Sequence, residues 1–162
     1  MENNSKQCAA LSASSIHRQV IYSSSAAYTE SISSYFALNA ARSPACVVQP
    51  RSAEDVSTVI STLAQKEGSL CKFAIRGGGH TIWGGAAGIE DGVTIDLSLM
   101  KGAVYHARNT TASILPGSKW RDVYKTLEKD GISVTGGRAE GVGVAGFLLG
   151  GERRDAIDLD HL

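Results

Sequence analysis

The sequence predicts an α+β fold in which a small parallel β-α-β unit is followed by a mixed sheet with helices. Residues 46–49 and 72–75 are short apolar runs typical of strands, and the segment between them has apolar side chains at helical spacing. Two later runs, residues 103–107 and 111–115, are separated by a short turn, which indicates an antiparallel hairpin. Because a strand, a helix and a second strand normally form a right-handed crossover, the first unit is predicted to be parallel.

The helix of this first unit carries start and stop signals. Ser52 is the predicted N-cap, and Asp55 three residues later completes a capping box. Gly68 is the predicted stop. One apolar face is formed by Val56, Val59, Ile60, Leu63 and Ala64.

The remaining elements follow from local patterns. Residues 1–24 are serine-rich and weakly patterned, so we predict a loosely docked or partly disordered extension. Residues 25–39 place aromatic side chains at helical spacing, and residues 93–97 are rich in β-branched residues typical of a strand. A helix over residues 119–130 is predicted to be capped by Ser118 and ended by Gly131. The aromatic side chains of the earlier helix, Tyr28, Tyr35 and Phe36, are predicted to be core anchors.

Composition excludes several classes of partner. The chain has 162 residues, 43% hydrophobic and 20% charged, with 16 basic and 16 acidic side chains. A neutral chain gives no reason to expect nucleic acid or an anionic membrane as a partner. No apolar run is long enough to span a bilayer. The first residues lack the basic region and apolar core of a secretory signal, so the sequence as written predicts an intracellular, soluble product.

The segment over residues 76–85, RGGGHTIWGG, is the strongest sign of a binding site. Glycine lets the backbone approach a ligand closely, and a loop of this kind can direct several N–H groups toward one anion. A ligand would bind beyond the carboxyl end of the second strand, where these glycines lie. His80 is the one chemically versatile side chain between them.

This loop resembles the pyrophosphate loop of the FAD-linked oxidases of the vanillyl-alcohol oxidase and berberine-bridge type. Their common pattern is Arg, a small residue, Gly-Gly-His, then Ser or Thr. In many members the histidine is bonded to the 8α-methyl group of the flavin, so the resemblance implies FAD as cofactor and His80 as the covalent attachment residue. Replacing Gly78 or Gly79 by valine is expected to abolish FAD binding with little loss of secondary structure. The matching residues are Arg76, Gly77, Gly78, Gly79, His80 and Thr81.

Arg76 leaves two roles open, a surface salt bridge or a contact with the cofactor's phosphates, made directly or through the residues that bind them. Asp96 is expected to be a structural hydrogen-bond acceptor, and Trp83 and Trp120 are expected in the core or in a pocket wall.

A second glycine-rich segment over residues 135–151, TGGRAEGVGVAGFLLGG, resembles the family segment that lies alongside the flavin and its phosphates. Members that attach flavin twice have a cysteine at the position of Ala139, so a second, thioether bond is not expected here. The resemblance implies further cofactor contacts from Gly136, Gly137, Val142, Gly143, Ala145 and Gly146.

The resemblance covers residues 25–151 and implies a partial FAD-binding domain of the PCMH type. Six of the last eleven residues are charged and none follows the family pattern. We therefore predict a chain in three parts: an extension over residues 1–24, the partial domain over residues 25–151 and a divergent tail over residues 152–162. The abrupt change is interpreted as a truncation.

The cysteines do not predict a metal site. Cys8, Cys46 and Cys71 form no CxxC pair, and no histidine cluster accompanies them, so no zinc site is predicted. Related fungal sequences often carry cysteines near the positions of Cys8 and Cys46. Whether these two form a disulfide stays open, and such a bond would form only in an oxidising compartment. Because many relatives are secreted, the localisation stays open.

The function implied by the resemblance is oxidation of a small organic substrate by FAD, with oxygen reoxidising the flavin. Relatives include tailoring enzymes of fungal secondary metabolism and sugar oxidases. FAD is the expected partner, together with a small-molecule substrate if a substrate domain completes the chain. The alternative is a catalytically inactive FAD-binding remnant or an unstable fragment. No catalytic residue is assigned, and the lack of an acidic residue about 20 positions after a GxGxxG disfavours a nicotinamide-dependent dehydrogenase.

Overall fold

The computed structural model describes residues 2–64 and 72–151. The predicted stop at Gly68, the third cysteine Cys71 and the predicted tail over residues 152–162 lie outside the described residues. The helices are α1 (Glu2–Ser12), α2 (Ala26–Ser33), α3 (Ala53–Ala64), α4 (Trp120–Leu127) and α5 (Val144–Leu149). The strands are β1 (Val20–Ile21), β2 (Cys46–Val48), β3 (Phe73–Arg76), β4 (Val93–Asp96), β5 (Ala103–His106) and β6 (Thr111–Ile114).

The main sheet has four strands in the order β1-β2-β4-β3. Strands β2, β4 and β3 are parallel, with Thr94 of β4 opposite Val47 on one side and Ala74 on the other, and β1 joins β2 antiparallel. The α+β class is therefore confirmed. The parallel unit differs from the expected one in a single respect, because β4 lies between β2 and β3 and makes the unit part of the mixed sheet. Strands β5 and β6 form the predicted antiparallel hairpin as a separate sheet.

The amino-terminal segment is docked on the main sheet, and the predicted loose extension is wrong. Helix α1 buries Cys8 and Leu11, and Ile16 follows them into the same cluster. A disulfide joins Cys8 to Cys46 of β2, with Cα atoms 6.1 Å apart. The packing is not evident from the serine-rich sequence, because only a few apolar residues and one covalent bond hold the segment in place.

A second core lies under the hairpin. Trp120, Val123 and Leu127 of α4 pack with Val144 of α5, and the inward side chains of β5 and β6 cover them. This cluster fixes the segment between α4 and α5, where the second glycine-rich stretch begins, against the rest of the domain.

The helix ends agree with the sequence in part. Ser52 Oγ accepts a hydrogen bond from the Asp55 N–H at 3.2 Å, as predicted, but the Asp55 carboxylate accepts from the Arg51 N–H instead of completing the box. Gly131 ends the α4 region in a left-handed conformation with φ of 69°. Ser118 does not cap α4, because its hydroxyl bonds the N–H and carbonyl of Gly102 and ties the helix start to the hairpin.

Within the described ranges, none of the helices is both long enough and apolar enough to cross a lipid bilayer.

Candidate functional site

The two glycine-rich segments cross each other in direct backbone contact. The loop after β3 and the segment before α5 meet at Gly78 and Gly143. A Cβ atom built on Gly78 would lie 2.5 Å from both the Cα and the nitrogen of Gly143, and a Cβ on Gly143 would collide with Gly78 in turn. The absence of side chains at these positions is therefore required by the crossing itself, before any ligand is considered.

A cleft of about 950 Å³, here called the main cleft, opens beside this crossing. Its lining is largely backbone and apolar side chains, including Leu97 and Pro116 from the ends of the neighbouring strands. It lies beyond the carboxyl ends of β3 and β4, where ligands of parallel sheets normally bind. Nine of the predicted contact residues line it, namely the run 77–81 together with Val142, Gly143, Ala145 and Gly146.

Two features of the main cleft suit a large anionic ligand. Within the described residues, the backbone N–H groups of Gly79, His80 and Thr81 donate to no protein acceptor, so they are available to an anion. A Cβ on Gly146 would meet nothing within 4 Å, so protein packing does not account for this glycine in the middle of α5. Its open side adds free volume to the cleft.

His80 lies where the main cleft meets a second cleft of about 460 Å³. Ala139, the position of a second flavin attachment in some relatives, lines that second cleft. The ring of Phe36 stacks on the imidazole, with centroids 4.1 Å apart and an angle of 16° between the planes. The Phe36 N–H also donates to the Gly79 carbonyl at 3.0 Å, which anchors the phenyl group to the glycine loop.

The sequence prediction for Phe36, a place in the core, is wrong. Phe36 is 64% exposed and not the predicted core anchor, whereas Tyr35 beside it is buried. Helix α2 ends at Ser33, earlier than the aromatic spacing predicts, and the chain then turns toward the glycine loop. Helical spacing cannot reveal a stacking partner 44 positions later in the sequence.

Arg76 is a buried structural residue, so the predicted surface salt bridge is wrong. The residue is 3% exposed, and its guanidinium donates to the Ser31 carbonyl and the Ser34 hydroxyl, both at 2.6 Å. It also lies 4.0 Å from the centre of the Tyr35 ring. These bonds fasten α2 to the start of the glycine loop, and Arg76 does not line the main cleft. Its role at the cofactor's phosphates, direct or through neighbouring residues, stays a prediction.

Asp96 behaves as the structural acceptor that the sequence predicts. Its carboxylate accepts from the Ser31 hydroxyl at 2.9 Å, the Gln49 side-chain amide at 3.1 Å and the Ser98 N–H at 3.0 Å. The Arg76 guanidinium lies 3.9 Å away. Burial raises the pKa of the nearby Tyr35 hydroxyl, an effect that Arg76 partly opposes and Asp96 reinforces, so this phenol stays protonated.

Gly136 and Gly137 lie against Trp120 and do not line the main cleft, so their predicted cofactor contacts stay a prediction. A Cβ on Gly137 would lie 2.6 Å from Trp120 Cδ1, and a Cβ on Gly136 would collide with the same ring. The Tyr124 hydroxyl donates to the Gly137 carbonyl at 2.9 Å. Packing around the indole therefore accounts for both glycines without a ligand. Trp83, in contrast, is 75% exposed and lines the main cleft, as expected of a pocket wall.

The model of the FAD binding domain family matches residues 44–154. The chain belongs to this family. Its fold and the expected cofactor, FAD, agree with the resemblance found in the glycine loop.

Known proteins similar to this chain fall into two groups. The FAD-dependent monooxygenase sdcF of Emericella nidulans is 49% identical over 144 residues, covering 89% of this chain and 30% of that protein. The FAD-dependent monooxygenase CTB5 of Cercospora beticola is 39% identical over 143 residues, covering 86% and 27%. Among solved structures, glucooligosaccharide oxidase of Acremonium strictum superposes with a TM-score of 0.73 at 22% identity, covering 91% of this chain and 30% of that one.

The chain spans about 30% of the length of these relatives. The structural likeness to the Acremonium enzyme establishes the fold, and the family match establishes the FAD-binding class.

Proposed function

We propose that this chain is the FAD-binding part of an FAD-dependent oxidoreductase that oxidises a small organic molecule in fungal secondary metabolism. The observation that carries the proposal is the main cleft between two crossing glycine segments, with His80 lining both it and the second cleft. The similarity to fungal FAD-dependent monooxygenases supports the reaction class.

The residues of the main cleft fit parts of FAD. The unpartnered N–H groups of Gly79, His80 and Thr81 would bind the diphosphate oxygens, and the open side of Gly146 leaves room for the rest of the cofactor. When bound, FAD would supply the hydride acceptor, and the protein's part is to bind and orient it.

His80 is the proposed covalent attachment residue. It lines both clefts, so its ring can reach a cofactor that extends from one into the other. Phe36 covers one face of the imidazole and limits its rotation, which leaves the ring edge for bond formation. Ala139 offers no sulfur for a second bond.

A second candidate is binding of FAD without turnover. Among the described residues that line the main cleft, His80 is the one titratable side chain, so general acid–base groups for a substrate are not supplied there. The two candidates differ in one measurement. Peroxide released at a rate that depends on an added alcohol, sugar or phenol supports the oxidase, whereas bound FAD with no such release supports the binding protein.

The attachment of FAD at His80 gives the most direct test. After incubation with FAD and acid precipitation, we expect flavin fluorescence to stay with the protein and the flavin mass to map to the peptide containing His80. His80→Ala should release the flavin on precipitation and still bind it before denaturation. Flavin mass on another residue, or complete release from the loaded wild-type chain, would contradict the assignment.

Replacing Phe36 by alanine should slow covalent attachment without abolishing FAD binding. A stacked ring pair contributes about 0.5–1.5 kcal/mol, so losing the stack should lower the attachment rate by about 2- to 12-fold. The measurement is the time course of acid-stable flavin. Phe36→Tyr keeps the ring and serves as the control. Equal rates in the alanine and tyrosine variants would show that the stack does not orient His80.

Gly146→Leu should change stability and FAD affinity in opposite directions. Glycine inside a helix is less favourable than a good helix former by about 0.5–1 kcal/mol, so without FAD the variant should be slightly more stable. The new side chain would fill the main cleft, so FAD affinity measured by titration should fall at least about tenfold. Ser57→Ala, on the exposed face of α3, is the control that changes helix propensity away from the cleft. Unchanged FAD affinity in Gly146→Leu would show that the cofactor lies elsewhere.

A further inference from the structure

The turn between β5 and β6 contains a motif that the proposed function does not use. Residues 109–111 are Asn-Thr-Thr, which fits the N-glycosylation acceptor pattern Asn-x-Ser/Thr with a middle residue other than proline. Asn109, Thr110 and Thr111 are all exposed at the tip of the hairpin. An acceptor asparagine must be reachable by a large enzyme and must leave space for a bulky sugar, and a hairpin tip satisfies both needs.

The side chains of this motif are already arranged as a pair. The Thr111 hydroxyl donates to the Asn109 side-chain carbonyl at 2.9 Å. Thr110 between them is in the left-handed region with φ of 53°, which brings the side chains of its two neighbours together. In the described part of the chain, the Asn109 amide nitrogen has no hydrogen-bond partner, so it faces solvent while the carbonyl oxygen is held.

An independent feature points to the compartment in which N-glycans are added. The disulfide between Cys8 and Cys46 lies in the buried cluster between α1 and the main sheet, on elements other than the hairpin. Disulfides form and persist in oxidising compartments such as the lumen of the endoplasmic reticulum. A chain that forms this bond in the lumen of the endoplasmic reticulum also meets the glycosylation machinery.

We propose that Asn109 is an N-glycosylation site and that the chain passes through the secretory pathway. The donor is an oligosaccharide linked to a polyprenyl diphosphate. The Asn109 amide nitrogen forms a bond to the anomeric carbon of the first sugar and loses one proton. The bond from that carbon to the diphosphate oxygen breaks, and the polyprenyl diphosphate leaves with the electron pair. No oxidant or reductant takes part.

The site is compatible with the cofactor clefts. The inner face of the hairpin packs on the core around Trp120, and the turn over residues 107–110 lines neither cleft. A glycan on Asn109 is therefore attached outside both clefts, and its loss should leave FAD binding unchanged.

The test is expression of the full chain in a filamentous fungus, followed by peptide mass analysis before and after a peptide N-glycosidase that hydrolyses the glycosylated amide and converts asparagine to aspartate. We expect a glycan on Asn109 in the wild type and its complete loss in Asn109→Gln and Thr111→Ala. Thr111→Ser keeps the acceptor hydroxyl and should keep the glycan. The sequence has one other such motif, at residues 3–5, and Asn3→Gln should leave the glycan on Asn109 in place.

Two results would overturn the proposal. One is an unmodified Asn109 in chains that carry the Cys8–Cys46 disulfide. This result would show that Asn109 receives no glycan even in an oxidising compartment. The other is a chain that stays in the cytosol with both thiols free. Thermal unfolding of Asn109→Gln should match that of the deglycosylated wild type, which shows that the variant is folded when its glycan is missing.

Discussion

Gly78→Val should lower the free energy of unfolding by about 3 kcal/mol or more, because overpacking at a site that cannot relax has costs of that size. A Cβ at Gly78 would lie 2.5 Å from two backbone atoms of Gly143, and backbone atoms cannot move aside as a flexible side chain can. The crossing of the two glycine segments would have to open, which would separate the walls of the main cleft. FAD binding should be lost together with stability.

This expectation differs from the one that the sequence alone supports, which is loss of binding with secondary structure intact. The difference can be measured by urea unfolding monitored by circular dichroism in the absence of FAD. Gly77→Ala is the matched control, because a Cβ there would meet Ala145 Cβ at 3.6 Å, an ordinary contact. If Gly78→Val has the stability of the wild type and has lost FAD binding, the glycine would be required by the ligand alone and not by the crossing of the two segments.

The elements of the fold were predictable where one segment carries its own signal. The apolar face of α3, the β-branched residues of β4 and the two runs of the β5–β6 hairpin each identify their element within a few residues. The glycine loop after β3 was also predictable as a binding site, because its position at the carboxyl end of a parallel strand follows from the order of elements.

The features that escaped prediction depend on contacts between distant segments. Arg76 has a family pattern around it, but its hydrogen-bond partners Ser31 and Ser34 lie more than 40 residues earlier. Gly136 and Gly137 look like ligand-binding glycines, yet the indole of Trp120 explains them. In each case local sequence gives the residue type that close packing needs and does not reveal which neighbour requires it.

The amino-terminal segment shows the same limit through a covalent bond. Local propensity predicts little structure for a serine-rich stretch, and the docking of α1 depends on burying Leu11 and on linking Cys8 to β2. A disulfide pairing cannot be deduced from cysteine positions alone when three cysteines are present.

Removing the Cys8–Cys46 disulfide should lower the free energy of unfolding by about 4 kcal/mol in the chain-entropy model, since the bond closes a loop with a sequence separation of 38. The effect acts largely on the unfolded chain, which gains freedom when the loop opens, so the folded structure of the variant should change little. Cys8→Ala/Cys46→Ala is the suitable variant, because both positions are buried and alanine adds no unsatisfied polar group there.

The measurement is urea unfolding of wild type and variant with and without a thiol reductant. The reductant should lower wild-type stability to near that of the double variant and leave the double variant unchanged. Equal stability of oxidised wild type and double variant would contradict a role for the bond in holding α1 on the sheet.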